Sequence, residues 1–148
     1  MRFDRLTFAL FIIRITAAIF LGLWATLKFI HPEWTENIFK GAYNLPVVTS
    51  HYALYLGIAQ LAIVFCFTLG LWRFWTYGLM MLMSAAGVLG SLSSYIRFDD
   101  AGELVLAYAR YPNNLMLTSI PTLGALIALF LLRDMDNFLS FSGKKKLK

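Results

Sequence analysis

The chain alternates long apolar runs with short polar interruptions, and the spacing of the runs predicts its elements. Four runs stand out, Leu6–Ile30, His51–Leu71, Trp75–Ile96 and Leu115–Leu132. Each comes close to the ~20 residues that a helix needs to cross a hydrocarbon layer of ~30 Å. The pattern predicts an all-α fold, an integral membrane four-helix bundle filling residues 1–148 as a single domain. Its helices fall at about 6–30, 51–71, 75–96 and 115–132, with outer loops over 31–50 and 97–114 and a basic tail over 133–148. The first run follows Arg2 and Arg5 as a secretory signal would. It is longer than the usual 7–15 apolar residues of such a signal, carries Arg14, and ends in LKFIHPEW without small-residue cleavage positions. A retained helix is expected.

Composition agrees. Hydrophobic residues make up 59% of the sequence and charged residues 14%, against about 25% charged in soluble domains. A formal charge of +5 could serve a nucleic-acid partner, but its distribution follows membrane topology. The N-terminus, the short turn around Arg73 and the C-terminus share one side of a four-pass chain and carry most of the basic residues. Most acids (Glu33, Glu36, Asp99, Asp100, Glu103) fall on the other side. The positive-inside rule then places both termini in the cytoplasm, and a bacterial inner membrane is the expected location. Aromatic residues bracket the spans, with Trp72 and Trp75 at one interface and Trp34, Tyr43, Tyr52, Tyr95, Tyr108 and Tyr111 at the other. Membrane lipids are expected partners and nucleic acid is not. The tail GKKKLK adds an affinity for anionic headgroups of roughly 1 kcal/mol per basic residue.

Polar residues inside the runs are few. Arg14 lies about 12 Å into the first helix by the ~1.5 Å rise per residue. Its guanidinium either snorkels to the headgroups or turns inward to bond Gln60 and exposed carbonyls near Pro121; the buried Arg14–Gln60 pair is the favoured arrangement. An amide left without a partner in hydrocarbon would cost at least ~1–3 kcal/mol. Lys28, His31, Glu33 and His51 cluster at the outer side by topology, joined by Asn113 and Asn114 before the fourth helix. Two histidines at a membrane rim, without the carboxylate or thiol spacing of a zinc site, do not make a metal or haem centre. No metal site is expected, and no cofactor on this chain, although a quinone or lipid could bind.

Ala86, Gly87, Gly90, Ser91 and Ser94 give the third helix a small-residue face of the kind that lets another helix approach closely. Pro121 and Gly124 predict a kink in the fourth helix, and Glu103–Tyr111 predicts a short interfacial helix. Cys66 is the sole cysteine, so the chain by itself cannot cycle a dithiol. No nucleophile elbow, phosphate loop or paired carboxylate set occurs, and intrinsic enzymatic activity is not expected.

The segments FIIRITAAIFLGLWATLKFIHPEW, YLGIAQLAIVFCFTLGLWRFWTYGLMMLMSAA and YPNNLMLTSIPTLGALIALFL resemble the DoxX family of small four-helix membrane proteins. The likeness lies in an arginine near the start of the first helix, a Lys-Phe before the outer loop, a Gly-Leu turn with a basic residue, and a fourth helix entered by Asn. Gln60 stands where that family often has a glutamate, and a glutamine cannot carry protons. The resemblance implies a non-catalytic membrane subunit or assembly factor attached to the larger subunits of an oxidoreductase complex. The alternative from the residues is a protein that binds a quinone or another lipophilic ligand through Arg14 and Gln60 or His31 and His51. A small transporter ranks third, since the helices hold no acid at mid-depth and no inverted repeat.

Overall fold

A computed structural model describes residues 4–41, 49–98, 104–106 and 119–141. Among the described residues five helices carry the architecture: α1 (Arg5–Ile30), α2 (Pro32–Gly41), α3 (Ser50–Thr68), α4 (Arg73–Tyr95) and α5 (Ser119–Leu131). The strands among the described residues are a short antiparallel pair, β1 (Ile96–Phe98) and β2 (Leu104–Leu106), with Arg97 opposite Val105. The short helix expected over Glu103–Tyr111 is therefore replaced, at least at Leu104–Leu106, by a strand. Antiparallel pairing satisfies backbone groups of Leu104–Leu106 that a lone helical turn would leave open, and the remainder of Glu103–Tyr111 lies outside the described residues. The outer loop over 31–50 contains α2, which the apolar-run pattern passed over because its sequence PEWTENIFKG is largely polar.

The ends of α1 are set by local chemistry. Asp4 caps its start, its carboxylate accepting from the Leu6 amide at 3.2 Å and the Thr7 hydroxyl at 3.0 Å. The helix closes with the His31 amide on the Leu27 carbonyl, and Pro32 then opens α2 at a position where a missing N–H costs nothing. Leu10, Arg14, Ala17, Ala18, Leu21 and Ala25 form the buried stripe of α1, repeating at the three- and four-residue spacing of one helix face. Three alanines on that stripe let α3 lie close along it. At the upper end the fit is tightest: a Cβ on Gly57 of α3 would come within 2.8 Å of the Phe29 ring and 3.2 Å of Lys28 Cβ.

Around this pair, α4 packs on α3 and on α5, and α5 returns to α1. Phe67, Tyr77, Met80, Leu126 and Leu129 complete the core with Leu10 and Leu21. The Phe67 and Tyr77 rings meet edge to face at 4.9 Å. The described part of α5 begins at Ser119, two residues before Pro121, and the turn that a kink at Pro121 would bend lies outside the described residues.

Two of the helices, Arg5–Ile30 (mean hydropathy 2.3) and His51–Thr68 (1.5), are long and apolar enough to cross a membrane. The end of the molecule holding the start of α1, the α3–α4 turn and the chain after α5 is termed basal, and the end holding α2 distal. Trp72 and Trp75 are largely exposed at the basal end, as are Trp34 and Tyr52 at the distal one.

Candidate functional site

Arg14 is completely buried, and the side chain points into the molecule. Its partners are not the expected ones. Nη1 donates to Asp136 Oδ2 at 2.9 Å and to the Tyr77 hydroxyl at 3.3 Å, and Tyr77 donates in turn to the same carboxylate oxygen at 2.7 Å. Nη2 donates to the carbonyls of Phe138 and Leu139 at 2.8 and 3.2 Å. The residues after α5, expected as a basic tail, fold back beneath the basal end as a plug. Phe138 sets its ring against Phe8 and Phe11, and the Phe141 amide bonds the Leu69 carbonyl at 3.1 Å. Arg73 fixes the plug from the other side, with Nη2 on Ser140 Oγ at 2.9 Å and Nη1 on the Arg133 carbonyl at 3.1 Å.

Two turn residues make this closure possible. Gly70 sits at φ 66°, and a Cβ there would lie 2.5 Å from Ser140 Oγ and 2.9 Å from Arg14 Nη1. Leu139 adopts φ 46°, a left-handed backbone that is uncommon for a bulky residue. The bond from Arg14 to its carbonyl helps to hold it there. Chemically the basal network is a lock: a cation, an acid and a hydroxyl, all shielded from solvent and each bonded to the chain itself, with only Arg14 Nε and Asp136 Oδ1 left without a partner.

The Arg14–Gln60 pair is not formed. Gln60 faces a different level, its Nε2 lying 3.4 Å from the Leu21 carbonyl, two turns of α1 further toward the distal end. A guanidinium offered a carboxylate takes the carboxylate, because a charged pair is the stronger bond. Tyr77 and Asp136 went unnoticed in the sequence. The signal was available in the need of a buried cation for an anion, together with an acid in RDMDNF on the otherwise basic side.

Gln60 instead helps to line a distal cavity of about 290 Å³. Phe20, Leu21, Trp24, Leu27, Lys28 and His31 supply one wall from α1. Leu56 and Gln60 come from α3, and Met83, Ser84, Ala86 and Gly87 from α4. Thr35, Ile38 and Phe39 of α2 form the roof, with Trp34 and Ser119 at the margins. Along α1 the cavity extends from Phe20 to His31, about 16 Å at the helical rise. The small residues of α4 explain its existence. Expected to receive another helix, Ala86 and Gly87 border open space, and a Cβ added to Gly87 would meet nothing within 4 Å. Gly90 is half-buried, and the side chains of Ser91 and Ser94 lie outside the described residues. The alanines of α1 line its packing on α3.

The cavity walls are mostly apolar, and their few polar atoms are incompletely partnered. Ser84 is 4% exposed, and its Oγ has no hydrogen-bond partner. Lys28 directs Nζ to the Trp24 carbonyl at 3.2 Å, one turn back toward the interior. His31 stacks on Trp34 at 4.9 Å and meets Glu33 Oε1 through Nδ1 at 3.0 Å. That bond and the backbone amide of Glu33 hold the exposed Glu33 carboxyl below its ordinary range, the backbone contribution being the larger. Of the expected outer cluster, Lys28 and His31 border the cavity and Glu33 is tied to His31. His51 is exposed at the start of α3, and Asn113 and Asn114 lie outside the described residues. Among the described residues no three His, Cys, Asp or Glu side chains are grouped to hold a metal ion.

Compared with protein-family models, curated proteins and solved structures, the chain matches none of them.

Proposed function

We propose that the chain is an integral membrane four-helix bundle, with both termini cytoplasmic, that holds a lipophilic molecule in its distal cavity. The observation carrying the binding role is Ser84. A buried hydroxyl without a partner costs about 1–3 kcal/mol, and this one borders a largely apolar space of ligand size. A ligand that is greasy along its length and polar at one point relieves that cost. Membrane residence is supported by the outward faces of the helices, where Ile12, Ile19, Leu23, Ile58, Phe65, Leu82 and Leu89 are all exposed. Such a surface suits lipid and would associate in water. Arg73 and Arg133 at the basal end support a cytoplasmic orientation for that end. The role of accessory subunit in an oxidoreductase complex rests on the DoxX-like resemblance and draws no support from the geometry.

The test is Gly87→Leu. Its side chain enters open space, and leaving glycine inside a helix should add stability of up to about 1 kcal/mol. We expect native mass spectrometry of the wild-type protein, released from neutral detergent, to show a bound lipophile that Gly87→Leu lacks while staying folded. An identical ligand load in both proteins would overturn the cavity as the binding site.

A further inference from the structure

The class of ligand can be narrowed from Lys28, and this step rests on the cavity being a binding site. A lysine near the distal end of a spanning helix ordinarily stretches toward the aqueous boundary, keeping its ammonium hydrated while its stem lies on apolar surface. Lys28 does the opposite. Its Nζ turns back to the Trp24 carbonyl, 3.2 Å away, and the side chain borders the cavity. The level it reaches is about 4.5 Å along α1 from Leu21, by three helical rises, and the Leu21 carbonyl is where Gln60 is bonded. Lys28, Gln60 and the unpartnered Ser84 Oγ therefore bring three polar groups from three helices to the wall of one cavity.

The charge in this group is unbalanced. Among the described residues Lys28 takes part in no ion pair. The nearby acid in sequence, Glu33, is engaged with His31. At the basal end a buried cation of the same chain is matched by one carboxylate, Asp136. Among the described residues the distal cavity offers the cation and a hydroxyl but no anion. A half-buried ammonium at the wall of an apolar cavity is favoured by a counter-charge from whatever fills the space.

We infer that the cavity takes a single-chain amphiphile with a monoanionic carboxylate head, a fatty-acid-like molecule whose carboxylate meets Lys28 and accepts from Ser84. One ammonium matches one negative charge. A phosphate monoester, carrying about −1.5 to −2 near neutral pH, would leave charge unmatched in the same walls. Leu27, Leu56, Ile38 and Phe39 then cover the chain. At about 290 Å³ the space stands at the small end of ligand sites, which fits one slender chain and not a two-chain lipid.

Trp24 and Trp34 border the cavity, so intrinsic fluorescence reports its occupancy in the full-length protein. Decanoate, decanol and decyl phosphate share a chain and differ in head charge; each is titrated at pH 7.5 in neutral detergent. The expected result is decanoate binding about tenfold or more tighter than decanol, the size of one charge-assisted hydrogen bond, and tighter than decyl phosphate. Lys28→Gln should bring decanoate to parity with decanol, and Lys28→Arg should retain the preference, which shows that the folded site survives substitution. Equal binding of decanoate and decanol to the wild type, both lost in Gly87→Leu, would overturn the anionic head and leave the cavity as a site for neutral lipophiles. Tighter binding of decyl phosphate would overturn the monoanion. No saturable response to any of the three would overturn both this inference and the binding role beneath it.

Discussion

At the basal end, Arg14, Tyr77 and Asp136 are fully buried and bonded to one another and to the returning chain. At the distal end, Ser84 is buried with no partner, and the Lys28 ammonium turns inward without an acid to meet it. Both ends place a cation and a hydroxyl among apolar side chains. The difference is who supplies the anion. Basally it is residue 136 of the same chain, carried there by a plug that follows α5; distally the described residues supply none. A buried polar group with an internal partner is part of the scaffold. One that borders a cavity without a partner is an invitation to something else.

The sharpest way to break this comparison is to remove the basal lock. Arg14→Leu strips two carbonyls, a hydroxyl and a carboxylate of their donor and leaves Asp136 buried beside Tyr77 alone. Disrupting one member of a buried ion pair costs about 3–5 kcal/mol. Asp136→Leu should cost less, because Arg14 retains the carbonyls of Phe138 and Leu139. The double variant should lose well under the sum, no orphan charge being left. Unfolding midpoints of the four proteins in detergent supply the cycle. Gln60→Leu is the internal control, expected to add independently to Arg14→Leu since the two side chains share no bond. Strict additivity of Arg14 with Asp136, or coupling of Arg14 with Gln60, would remove the lock from the basal end.

A smaller loss tests whether the plug is fitted or merely adjacent. Gly70→Ala sets a methyl group where Ser140 and Arg14 already stand and imposes a left-handed backbone on a residue with a Cβ. A cost of about 1–3 kcal/mol is expected. Proteolysis should then cut within residues 132–141 sooner than in the wild type. A Gly70→Ala protein with unchanged midpoint and cleavage would mean that the plug is not seated on the turn.

Much of this was legible in the sequence, for definable reasons. The apolar runs located α1, α3, α4 and α5 because burial and lipid both demand long unbroken hydrophobic stretches. Arg14 was legible as an inward-facing group, since a charge that deep requires company. Its partner was not, because Asp136 lies beyond the last apolar run, and nothing in local periodicity says that a short polar segment doubles back. The small residues of α4 were legible as a place of low volume, but volume left free on one helix can admit a neighbouring helix or a cavity. The other helices decide which, and at Gly87 they leave open space. Helix α2 was hidden by its polarity: an amphipathic roof carries few apolar residues, and its periodicity is too short to stand out.

The least disruptive change bears most directly on the distal end, and its sign is the informative part. Ser84→Ala removes a hydroxyl that has no bond to lose. Where a buried hydroxyl is satisfied, deletion lowers stability by about 1 kcal/mol. Where it is unsatisfied, deletion relieves a desolvation cost and the empty protein should become more stable by about 0.5–1 kcal/mol. The gain belongs to the ligand-free protein only. With decanoate present the wild type should recover the difference, because the ligand then accepts from the hydroxyl and binding favours the folded state by mass action. Unfolding midpoints measured with and without decanoate should therefore cross: Ser84→Ala higher when empty, the wild type equal or higher when loaded. A Ser84→Ala protein less stable than the wild type in both conditions would mean that the hydroxyl is bonded within the fold. The distal end would then be built as the basal end is, with its polar groups serving the scaffold.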